Sequence, residues 1–171
     1  MKQNSFSNAS NILNLSVRDM LTTLAFIAGN IVFPQLCHLV PGGGPTWLPI
    51  YFFTLVGAWH CGLKAGLLIS ILSPIVNCLC FGMPSTAALA PILLKSVLLA
   101  GAAAFVASRY ARPTLLLILS LVLTYQVAGT LGEWAIYGDL ASATQDFRIG
   151  VPGMLLQIVG GYLVLRTLAR K

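Results

Sequence analysis

Polar and apolar positions fall in long blocks along this chain rather than alternating. After a polar opening, apolar runs of roughly twenty residues recur, each closed by glycine, proline or charge, which is the length a helix needs to cross a bilayer. The pattern predicts six spans, over residues 17–40, 45–61, 65–81, 86–108, 114–131 and 148–168. Arg18 and Asp19 mark the start of the first, and Pro34 lies inside it. The second is short and is expected to tilt or to begin irregularly. Trp47, Tyr51 and Trp59 sit in it where aromatic belts form. Residues 1–16 make a polar segment crowded with Ser and Asn. A signal peptide would pass from positive charge straight into an apolar core, so the first span is expected to be retained. Residues 17–171 are then one membrane domain.

Composition fixes the class. Of 171 residues, 57% are hydrophobic and 8% charged, against about 25% charged in a soluble domain. Too few charges exist to solvate such a core, which excludes a cytosolic enzyme. The net charge of +6 is scattered singly and makes no nucleic-acid footprint. Cys37, Cys61, Cys78 and Cys80 form no CxxC pair and read as small buried hydrophobes.

Charge also orients the chain. With the N-terminus in the cytoplasm, the inner segments hold Lys2, Arg18, Lys64, Arg109, Arg112, Arg166, Arg170 and Lys171. The outer loops take Glu133, Asp139 and Asp146. The positive-inside rule thus selects both termini cytoplasmic. Continuous apolar runs, without strict alternation, exclude a β-barrel. The expected fold is an all-α integral membrane bundle of six helices.

Lys95 is the most informative residue. It lies near the middle of the fourth span, roughly 14 Å from the outer end at 1.5 Å per residue. An ammonium there costs about 2.5–3.5 kcal/mol to insert. The functional reading is a cationic floor for an outward pocket that holds an anionic group. The structural reading is an ion pair with Glu133 or Asp146. His38, Trp47, Tyr51, Asn77, Gln126, Glu133, Trp134, Tyr137, Arg148 and Gln157 gather toward the same outer end, and aromatic faces with a few polar groups suit a small-molecule pocket. Each also has a plainer role, as an interface anchor or a helix-to-helix bond. Gly42, Gly43 and Gly44, flanked by Pro41 and Pro45, form either a lid loop or a simple linker.

Other chemistry is missing. There is no P-loop, HExxH or GxSxG motif. Cys37-His38 and His60-Cys61 fall on opposite sides of the membrane and cannot share a metal. No chain of acids crosses the bilayer, against a proton pump. The halves do not repeat, against a secondary transporter. Small residues at Ala25 and Gly29, and over 100–104, allow close helix approach within the bundle or to another subunit.

Residues 38–107 resemble the substrate-binding S components of energy-coupling factor (ECF) vitamin transporters. The likeness lies in His38-Leu39, the glycine-containing outer loop, Leu48-Pro49, Gly57 and Gly62-Leu63-Lys64-Ala65-Gly66-Leu67. It continues through Ser73-Pro74-Ile75-Val76-Asn77, Phe81-Gly82-Met83-Pro84, Pro91 and Gly101. The resemblance implies a binding subunit in the prokaryotic plasma (inner) membrane, with no catalytic residues, metal or cofactor of its own. Its partners would be a transmembrane coupling subunit and two cytoplasmic ATPases, which consume the ATP. The loop 40–47 would be the lid. The family's AxxxA contact with the coupling subunit would fall on Ala25 and Gly29, where the second alanine is replaced. Lys95 then points to a water-soluble vitamin or precursor bearing a carboxylate or phosphate. A stand-alone carrier or channel, or a small membrane assembly factor using the acidic outer loop, are the other readings. A carrier would transport alone and without ATP.

Overall fold

The computed structural model describes residues 17–110 and 112–168. The polar segment 1–16, Arg170 and Lys171 lie outside them. Helix makes up 88% of what is described, with no strand. The helices are α1 (Val17–Cys37), α2 (Gly43–Trp47), α3 (Pro49–Phe81), α4 (Thr86–Arg109) and α5 (Leu115–Tyr137). Two short pieces follow, α6 (Leu140–Ala143) and α7 (Gln145–Ile149), then α8 (Val151–Leu168). Five helical segments are long and apolar enough to cross a membrane, the longest being Gly43–Phe81.

That longest segment folds back on itself. Gly62 sits at φ 81° and ψ −175°, a left-handed conformation that side chains disfavour. In a straight helix, Ala58 and Gly66 would stand about 12 Å apart. Instead, a Cβ placed on Gly66 would lie 2.5 Å from that of Ala58, and one on Gly57 would meet Ile69. The arms 49–61 and 63–81 therefore lie side by side, and the corner between the expected second and third spans is one glycine. α3 packs against α1 and α4, and α4 against α5. Leu55, Val56, Ala58, Leu99, Ala100, Ala103, Ile118 and Val122 are fully buried at the centre.

Proline shapes α1. Pro34 has no N–H, so the carbonyl of Asn30 loses its helical donor. Asn77 supplies one from the far arm of α3, its Nδ2 donating to that oxygen at 2.9 Å. Gln35 donates to Asn77 Oδ1 at 2.9 Å, and Asn30 donates to Thr54 Oγ1 at 3.1 Å. With no water in the hydrocarbon to do the job, these bonds join α1 to both arms of the hairpin.

Several boundaries differ from those expected. α1 stops at Cys37 rather than residue 40, turning through His38 toward Pro41. α5 runs on to Tyr137, past residue 131, so Glu133 and Trp134 are helical and not in a loop. A charge near a span end reads as a loop in sequence, but this one is paired within the bundle, with Lys95. The last span starts at Val151, leaving Arg148 on α7. It also contains a π-helical turn over Leu156–Gly160.

α1 and α8 run in opposite directions, so Val17 and Leu168 share one end. Arg18, Lys64, Arg109, Arg112 and Arg166 belong to that end, and Glu133, Asp139 and Asp146 to the other.

Candidate functional site

A pocket of about 310 Å³ opens at the end of the bundle away from Val17 and Leu168. That is near the lower limit for small-molecule sites. Helix ends build it. The end of α1 gives Pro34 and the turn after it His38, α2 gives Gly44 and Pro45, and the start of α3 gives Ile50 and Tyr51. The start of α4 gives Ala88, Pro91 and Ile92, and α7 closes over the top with Gln145 and Asp146. The walls are mostly apolar and rich in proline, and the charged groups converge on one spot.

That spot is Lys95. Its Nζ lies 2.7 Å from Glu133 Oε2 on α5 and 3.0 Å from Asp146 Oδ2 on α7. Lys95 is 4% exposed, which is tolerable because both neighbours carry the opposite charge. Its stem lies against Gly129, where a Cβ would come 2.5 Å from Lys95 Cγ. Lys95 therefore does not offer an unpaired positive charge to an anion. Of the two readings of this residue, the internal ion pair is the one the geometry displays, with both acids at once.

His38 also faces the pocket. Its Nδ1 is 2.6 Å from the carbonyl oxygen of Pro34. A carbonyl can only accept, so Nδ1 carries a proton and donates to it. Tyr51 is buried and packs on Tyr125 at 5.5 Å between ring centroids. Tyr125 donates to Gln157 Oε1 at 2.7 Å. The π-helical turn of α8 begins one residue before Gln157 and holds it inside, a local irregularity found often at functional sites.

The glycine run has steric reasons. Gly42 sits at φ 74°. A Cβ on Gly43 would collide with the carbonyl of Cys37, and one on Gly44 would meet the His38 ring. Gly153 of α8 takes the other side, since its Cβ would fall 2.4 Å from the Trp47 carbonyl. The expected lid is thus a short helix wedged between α1 and α8. Leu48, at φ 46°, turns the chain from it into α3.

Lys95, His38, Tyr51, Glu133 and Gly44 line the pocket; Trp47, Asn77, Trp134, Arg148, Gly42 and Gly43 do not. Asn77 is committed to α1. Trp47 and Trp134 are 41% and 46% exposed on the bundle surface. Arg148 faces a separate shallow groove beside Ala141 and Ile149. Gln126 is buried on the same stripe of α5 as Glu133, and its amide has no hydrogen-bond partner among the described residues. Gly29 packs on the Phe53 ring, whereas Ala25 is exposed on α1. The sequence marks Asp146 as a counter-ion and as part of the acidic outer loop, and does not mark Pro34, Pro91 and Ile92 as pocket residues. Their signal was position, one or two turns from the outer end of a span. Among the described residues, no cluster of His, Cys, Asp or Glu could hold a metal ion.

No protein-family model matches the chain, and no curated protein or solved structure matches it.

Proposed function

We propose that this chain is the substrate-binding S component of an ECF-type importer, capturing a small water-soluble vitamin or precursor from outside a prokaryotic cell. The observation that carries the reading is the pocket itself. It is closed by a wedged helix and a capping segment, and it lies at the end of the bundle opposite Arg18, Lys64, Arg109, Arg112 and Arg166. If those residues face the cytoplasm, as the positive-inside rule requires, the pocket faces out. The folded-back α3 supplies the sixth spanning arm. The sequence likeness over residues 38–107 supports the family.

On this reading the chain binds and does not catalyse. It holds no cofactor, and a coupling subunit with two ATPases supplies the energy. The exposed stripe of α1, with Leu21, Leu24, Ala25 and Val32 outward, is where the coupling subunit would dock. With its ammonium already held by two carboxylates, Lys95 does not call for an anionic ligand.

Affinity purification from native membranes tests the assignment. The chain should bring down a membrane subunit and two ATPases, and proteoliposomes should take up ligand only with that whole set and ATP. ATP-independent uptake by the purified chain would make it a carrier.

A further inference from the structure

We infer that the pocket selects a cationic ligand, one bearing a protonated amine or similar group, with Glu133 and Asp146 as its counter-charges. This rests on reading the pocket as a small-molecule site. The argument is charge balance. Two carboxylates, 12% and 13% exposed, share the single ammonium of Lys95. Charges held away from water are stable when paired, and here one negative charge is left over. Arg148 does not cancel it, since it faces another groove and makes no ion pair among the described residues.

The hydrogen-bonding capacity points the same way. The carboxylates only accept, and His38 already donates from Nδ1 to the Pro34 carbonyl, with Nε2 lying against Gly44. A ligand with N–H donors and a positive charge answers both carboxylates. Lys95 then serves as the built-in counter-ion that keeps the acid pair from repelling. Most of the remaining wall is apolar, with five prolines and Tyr51, and only Ser85, Ser142 and Gln145 add uncharged polar groups beside His38, so the cation would sit at one end of a compact, mainly apolar or aromatic body.

Three probes of similar shape separate the possibilities: phenethylammonium, 2-phenylethanol and 3-phenylpropanoate, titrated into the detergent-purified full chain. Phenethylammonium should bind at least tenfold more tightly than either analogue. Asp146→Asn, which removes the surplus charge without changing shape, should cut that preference at least tenfold. Lys95→Met, which frees both acids, should widen it. Equal or tighter binding of the alcohol or the carboxylate to the wild type would overturn the cation inference and leave the pocket standing. Absence of any saturable binding that a pocket-filling Ala88→Trp abolishes would overturn both.

Discussion

Lys95 on α4 and Asp146 on the capping segment meet at 3.0 Å across 51 positions of sequence. The contact ties the cover of the pocket to its floor. Glu133 completes the cluster from α5 at 2.7 Å, so three elements depend on one ammonium.

Removing that ammonium should therefore be costly. Lys95→Met leaves two largely buried carboxylates without a counter-charge, and breaking a buried pair costs about 3–5 kcal/mol. Partial water access places this cluster near the lower figure. Thermal unfolding in detergent should show the loss, and adding Glu133→Gln and Asp146→Asn should restore much of it. A loss that persists in the triple variant would assign the effect to packing against Gly129 instead.

Asn77 should behave differently. Asn77→Leu removes the bonds to Asn30 and Gln35, worth about 1 kcal/mol in a membrane interior. The melting temperature should fall while ligand affinity stays within about twofold, since Asn77 does not line the pocket. A large affinity loss at unchanged stability would return Asn77 to the binding site.

The glycines give a paired test. Gly153→Ala puts a methyl group into the Trp47 backbone and should loosen α2, read as faster amide exchange over residues 43–48. Gly101→Ala meets nothing within 4 Å, and should raise stability by about 0.5–1 kcal/mol through helix propensity. If both variants behave alike, the wedge between α1 and α8 does not hold the lid.

Much of this was legible in the sequence. Hydropathy marked the long apolar helices, and Lys95 stood out because a charge in the middle of one demands an explanation. Asn77 and Pro34 were each visible alone. Their partnership was not, because it depends on which carbonyl the proline strips of its donor and which arm then lies within reach. The end of α5 was misplaced for a related reason. Glu133 reads as loop until Lys95 is known to neutralise it. The choice between Lys95 as ligand group and as ion pair also needed the fold, because Asp146 is brought over the pocket by two short helices with no hydropathy signature.

Acid should loosen that cover. The Asp139 carboxyl accepts from Ser142 Oγ and from the Ala141 N–H, and these bonds hold it below the ordinary Asp range. A group with a lowered folded value stabilises the fold above its unfolded value, about 3.9, and that contribution is lost as pH falls through the folded value. Amide exchange over residues 140–147, corrected for intrinsic rates, should therefore rise in acid. Asp139→Ala should show the raised exchange already at neutral pH, with a weaker further response to acid.

The most direct measurement is native mass spectrometry of the full chain, released gently from detergent, beside Ala88→Trp. The wild type should carry a small molecule, or take up one from a vitamin panel, that the variant cannot hold. A wild type that stays empty across the panel, or an adduct retained equally by Ala88→Trp, would contradict the claim that this pocket is where the protein works.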